Sequence, residues 1–188
     1  MPSGTMSNLT AMMTNVRTKG HTAIMAKNCH IYKYERGGSA AFGGIFPHAL
    51  DNLPDGTMDL KKIEATIPVD NVHLAMPSVI CLENSQGCCN GAAIKLDYVN
   101  QVRDIADRHK LNMHLDGARL LNALIATGDE PAAYAKPFDT LSFCFSKGMG
   151  CPVGSVLVGD AENMACAKNI RKMLGGGMRQ CGILAACM

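Results

Sequence analysis

Two residues that close apolar runs hold the first chemical interest in this sequence: Asp116, in His114-Leu115-Asp116-Gly117-Ala118-Arg119, and Lys147, in Ser146-Lys147-Gly148. In open α/β sheets ligands bind outside the carboxyl ends of the strands, so polar residues at those ends are the ones that meet them. A lysine placed after a buried strand can be desolvated, which disfavours the ammonium form and leaves an amine nucleophile. The plainer alternative is a lysine whose stem crosses the sheet edge while its head reaches water. Asp116 has its own structural alternative, capping a helix that begins at Gly117-Ala118-Arg119. As a pair, an amine and a carboxylate suit a heteroaromatic cofactor that stabilises carbanions: one holds it covalently and the other keeps its ring nitrogen protonated.

Three further places add to that chemistry. Gly4-Thr5 opens an amphipathic pattern, and the free N–H groups and positive dipole end of a helix start favour a phosphate; an ordinary Ser/Thr-capped start is the alternative. His30, in Cys29-His30-Ile31-Tyr32, follows a strand ending near Met25 and could stack on an aromatic ring. Near the end, Arg171-Lys172-Met173-Leu174 runs into Gly175-Gly176-Gly177-Met178-Arg179. Cations beside glycines suit an anion, although a helix C-terminus with a glycine stop reads the same way.

The elements that must position these residues follow from periodicity. Short apolar runs alternate with helical patterns, the signature of βαβ units and a largely parallel sheet of about seven strands or fewer. Leu9, Met12, Met13 and Val16 share one face of a first helix, and Thr22 to Met25 reads as a strand. Leu53-Pro54-Asp55-Gly56 reads as a turn, Asp59 as the cap of a helix through Thr66, and Val79 to Leu82 as a strand. Between Asp97 and His109, Val99, Val102, Ile105 and Ala106 fall on one side of a helix, and the strand Asn112 to Leu115 then delivers Asp116. A helix from about Arg119 stops near Gly128, Leu141, Phe143 and Phe145 alternate, and a strand follows from Ser155 to Val158. Asp160 caps a helix through about Leu174. No repeat or linker divides the chain.

Composition narrows the function classes. The 188 residues are 47% hydrophobic and 18% charged, enough to bury a core. A formal net charge of +2 from dispersed lysines and arginines gives no reason to expect nucleic acid or acidic lipid as partner. Nine cysteines without a signal peptide fit reduced thiols in a cytoplasmic protein. Cys81 with Cys88-Cys89 is the strongest metal pattern, but no second pair at zinc spacing accompanies it, so no metal is expected. No apolar run reaches membrane-spanning length.

Together these residues resemble the threonine aldolase family of fold-type-I pyridoxal-phosphate enzymes, related to the aromatic amino acid β-eliminating lyases. The resemblance runs through Pro2-Ser3-Gly4-Thr5 with Asn8-Leu9, His30 with Glu35 and Gly37-Gly38, and Leu82-Glu83-Asn84. It continues through His114 to Arg119, Ser146 to Ser155, Arg171-Lys172-Met173 and Gly175 to Gln180. It implies an α/β fold, a mostly parallel sheet flanked by helices, with residues 1–188 forming part of the large cofactor-binding domain and a small C-terminal domain lying outside the chain. Pyridoxal 5'-phosphate would be held covalently by Lys147, with Asp116 at the pyridine nitrogen, His30 over the ring, Gly4 and Thr5 on the phosphate, and Arg119 at the phenolic oxygen or the substrate carboxylate. Lys172 and Arg179 would reach the phosphate of a neighbouring subunit, because such sites form across the interfaces of a homo-oligomer. The implied reaction is retro-aldol cleavage of L-threonine or L-allo-threonine to glycine and acetaldehyde, with Lys147 and His30 catalytic. A related β-eliminating activity and an inactive remnant that only associates with a partner are the alternatives.

The sequence departs from the family at one chemical position. Where relatives generally carry a histidine two residues after the Asn of Leu82-Glu83-Asn84, this chain has Gln86, which hydrogen-bonds but is neither acid nor base near neutral pH. The loop Gly87-Cys88-Cys89-Asn90-Gly91 also differs.

Overall fold

A computed structural model describes residues 1–69 and 72–188. In chain order the elements are α1 (Gly4–Asn15), β1 (Thr22–Ala26), α2 (His30–Lys33), α3 (Gly38–Gly43), β2 (Phe46–Leu50), α4 (Leu60–Ala65), β3 (Pro77–Glu83) and α5 (Leu96–Arg108). They continue with β4 (Asn112–Asp116), α6 (Leu120–Thr127), α7 (Pro131–Ala135), β5 (Thr140–Cys144), β6 (Ser155–Gly159), α8 (Ala161–Met173) and α9 (Gly182–Ala185). The strands form one sheet in the order β2-β1-β3-β4-β5-β6, parallel throughout except that β6 runs antiparallel to β5. Residues 145–154 connect β5 to β6, too short a link for the crossover of a dozen or more residues that a parallel neighbour needs.

Central strands carry near-continuous apolar runs because both faces are covered. All five residues of β1 are buried, and Val79, Ile80, Cys81 and Leu82 of β3 join them in the core. On β4, His114 and Asp116 meet Asn8 of α1, so by strand alternation Met113 and Leu115 point to the other face, where α5 packs. The expected faces of both helices hold: Val99, Val102, Ile105 and Ala106 are buried on α5, and Leu9, Met12 and Val16 are buried on or beside α1.

Asp59 caps α4 through the N–H groups of Lys61 and Lys62, Asp160 caps α8 through that of Asn163, and Gly128 ends α6 at a φ of +75°. The segment β2 escapes periodicity because it is short, half-exposed and contains Pro47, a residue confined to sheet edges since it cannot donate to a ladder. The helices α2, α3, α7 and α9 have four to six residues each, too few for a helical repeat to register. On β5 the alternation of Leu141 and Phe143 does not mark a solvent-facing side. Ser142 and Cys144 between and beyond them are buried as well, because α1 covers that face.

Candidate active site

Parallel pairing aligns Glu83, Asp116 and Ser142 across β3, β4 and β5, so these strands end at one edge of the sheet. Above that edge lies a cleft of about 320 Å³, lined by Gly4, Thr5, His30, Asp116 and Lys147 together with Asn8. Its size is at the lower end of the roughly 300–1,000 Å³ usual for small-molecule sites. Five sequence positions separated by up to 143 residues of chain thus meet because Asp116 closes β4, Gly4-Thr5 and His30 open α1 and α2, and Lys147 lies in the turn after β5, all at the same edge.

The cleft floor is the N-terminus of α1. Ser3 caps it, its Oγ accepting from the Met6 N–H at 3.2 Å while its carbonyl takes the Ser7 N–H. The N–H groups of Gly4 and Thr5 have no acceptor among the described residues and belong to the positive end of a twelve-residue helix. A Cβ on Gly4 would lie 2.9 Å from the Cys144 Sγ, so only glycine lets the helix mouth sit this close to the end of β5.

Asp116 is held on both oxygens. Its Oδ1 accepts from the Ala118 N–H at 3.1 Å and its Oδ2 from Asn8 Nδ2 at 2.7 Å. The same Asn8 Nδ2 donates to Glu35 Oε1 at 2.8 Å, and Asn8 Oδ1 accepts from His114 Nε2 at 3.2 Å and from Ser142 Oγ at 2.8 Å. Two carboxylates fix the amide's orientation, and the amide oxygen in turn makes Nε2 the donor of His114. Thr140 Oγ1 meets His114 Nδ1 at 2.9 Å, and burial pushes this imidazole down to a pKa of about 4, so it is neutral at physiological pH.

His30 begins α2. Its backbone N–H donates to Glu83 Oε2, and its Nδ1 meets Glu35 Oε1 at 2.9 Å. Glu35 raises the imidazole's proton affinity through that hydrogen bond, and Asp116 adds to the effect; partial burial and the Lys147 ammonium oppose it. Burial pushes both Glu35 and Glu83 above the usual carboxylate range, against the donors that hold them. His30, Glu35 and Asp116 are the one set of three metal-ligand types whose donor atoms lie within 4.8 Å of one another among the described residues. Those atoms are already joined by His30 and Asn8 hydrogen bonds, which makes a bonded chain and not an open coordination shell.

Three expected site residues lie elsewhere. Arg119 precedes α6 on the surface and faces a small recess beside Asn122 and Gly148, not the cleft. Lys172 and Arg179 are exposed at the end of α8 and in the loop beyond, with the Lys172 stem folded beside Gly177. Gln86 is buried and fully engaged: Nε2 donates to the Asn28 carbonyl at 3.0 Å, and Oε1 accepts from the N–H groups of Cys88 and Cys89. It braces its own loop against the one that follows β1. The Cys81 thiol is buried against Met12 while Cys88 is exposed, so those cysteines form no cluster. Glu35 and Asn8 had no role assigned from sequence. The signal for Asn8 was a polar residue on the buried face of a helix, which demands a partner.

The profile of the family described as Beta-eliminating lyase matches residues 1–188. The chain is 45% identical over 188 residues to low-specificity L-threonine aldolase 1 of Arabidopsis thaliana, covering 99% of this chain and 52% of that protein. It is 39% identical over 186 residues to the low specificity L-threonine aldolase of Escherichia coli (strain K12), covering 99% and 55%. A solved Leishmania major threonine aldolase superimposes with a TM-score of 0.79 at 22% identity over 93% of this chain and 50% of that one, a likeness of fold. The chain spans about half the length of the curated relatives it matches.

Proposed function

This chain belongs to the β-eliminating lyase family, and from that premise we propose that its cleft holds pyridoxal 5'-phosphate and serves the retro-aldol cleavage of L-threonine or L-allo-threonine to glycine and acetaldehyde. The observation that carries the reading is the convergence of Lys147, Asp116, His30 and the α1 N-terminus on one cleft. The residues fit the group: free N–H groups at Gly4 and Thr5 suit its phosphate, the glycine leaves the approach open, and a doubly held carboxylate suits its ring nitrogen. Residues 1–188 are read as part of the cofactor-binding large domain.

When bound, the cofactor supplies an electron sink for the charge left at the substrate's Cα. The chain's residues do the rest. Lys147 would supply the amine that holds the cofactor covalently. Asp116, kept from rotating by Asn8 and Ala118, would hold a proton at the ring nitrogen. His30 would stack on the cofactor's ring, and with Nδ1 on Glu35 its Nε2 would be the atom to take the proton of the β-hydroxyl. Gln86, engaged with Asn28, Cys88 and Cys89, takes no part in that transfer in this reading. Arg119 at the phenolic oxygen or substrate carboxylate, and Lys172 and Arg179 at a neighbouring subunit's phosphate, remain part of the proposal. Their exposure suits contacts supplied by assembly of a homo-oligomer in the cytoplasm.

Mixing the purified chain with pyridoxal phosphate, reducing with borohydride and mapping the peptides tests the reading. The label should fall on Lys147, and Lys147→Ala should lose it together with acetaldehyde release from threonine. A wild-type chain that takes up no label overturns the proposal; one that is labelled but releases no acetaldehyde supports the cofactor site and refutes the reaction.

A further inference from the structure

Glu35 sits where a fold brace would also serve, yet its side chain is an ionisable carboxyl. Its side chain is 4% exposed, and a single oxygen, Oε1, accepts from both His30 Nδ1 and Asn8 Nδ2. Asn8 in turn holds Asp116, so an unbroken chain runs from the imidazole to the carboxylate at the floor of the cleft. An amide at position 35 would fill the same space and accept the same two bonds. What it would not do is stabilise the imidazolium cation with a negative charge, which a carboxylate does.

We propose that Glu35 is a positioning residue for His30: it anchors the ring through Nδ1, presents Nε2 to the cleft as a proton acceptor, and through Asn8 ties the imidazole to Asp116. The inference rests on the reading of the cleft given above and adds to it the source of the base's orientation and strength. The charged and titratable groups around His30 are Glu35 from the loop after α2, Asp116 from β4, Lys147 from the loop after β5, Glu83 of β3 at its backbone N–H, and the Tyr34 ring with a centroid 5.6 Å away. Glu35 is the one among them that hydrogen-bonds to the imidazole itself. Orientation by a partner on the far ring nitrogen is the general device by which proteins select a histidine tautomer.

The test is an NMR titration of His30 in the cofactor-free chain, with the resonance assigned by its loss in His30→Asn. In Glu35→Gln the imidazole should titrate lower by about one pH unit or more, the effect of removing a charge partner at contact distance. The pH profile of threonine cleavage should move the same way, and Glu35→Asp should recover part of the shift. An unchanged His30 titration in a folded Glu35→Gln variant overturns the proposal. If that variant does not fold, a wild-type His30 titration in Glu35→Asp, whose shorter arm withdraws the oxygen, overturns it instead. Because the titration needs no cofactor, a chain that shows the shift but takes up no pyridoxal phosphate refutes the cofactor reading while supporting the Glu35–His30 pairing.

Discussion

Asn8 makes four side-chain hydrogen bonds in a space where it is 1% exposed, two of them to the carboxylates of Glu35 and Asp116. No other residue type has both two donor hydrogens and an acceptor oxygen on so short a stem. Removing it leaves His114 Nε2 and Ser142 Oγ without this acceptor and two buried carboxylates closer to direct repulsion. Asn8→Ala should therefore lose about 3 kcal/mol or more of stability in urea unfolding, since buried hydrogen bonds to charged groups are worth about 1.5–3 kcal/mol each. Residue chemistry was legible where a side chain closed a strand, as with Asp116, or followed one closely, as with Lys147. It was not legible at Asn8, whose four partners come from α2's following loop, β4 and β5, up to 134 residues away.

At the scale of elements, the site depends on how closely α1 approaches β5. The Cβ of an alanine at position 4 would meet Cys144 Sγ at 2.9 Å, so either the helix mouth or the strand end must shift. Gly4→Ala should cost about 1–3 kcal/mol, as overpacking generally does, and should weaken pyridoxal phosphate retention. Adding Cys144→Ala removes the obstructing sulfur and should restore both, as measured by thermal unfolding and cofactor titration; a double variant no better than the single would show that the contact does not set the approach. The long elements were legible because their apolar faces repeat over several turns, as in α5, or run without break, as in β3. The edge strand β2 and the short helices were not, because Phe46–Leu50 and His30–Lys33 gain their form from neighbours.

For the molecule as a whole, buried titratable groups set how stability depends on pH. His114 is neutral when folded, with a pKa of about 4 against 6.5 when free, so the unfolded chain binds the proton first as acid is added. Its contribution is present above about pH 6.5 and is lost as pH falls toward 4. Glu35 and Glu83 act in the opposite sense: raised by burial, they favour the fold at low pH and lose that contribution as pH rises beyond 4.5. Comparing the chain with His114→Gln isolates the first effect. The wild-type melting temperature should fall more steeply between pH 6.5 and 4 than that of the variant.

The sequence by itself determined the parallel α/β class, the main helices and strands, and the identity of Lys147, Asp116, His30 and Gly4-Thr5 as candidates, because each depends on local periodicity or on which residue ends a run. Only the tertiary structure decided that these candidates share one cleft, that Glu35 and Asn8 join His30 to Asp116, and that Gln86 ties its loop to the Asn28 carbonyl. The physical reason is that a hydrogen bond is satisfied by whatever lies within about 3 Å, and sequence distance carries no record of which strand ends the sheet brings side by side.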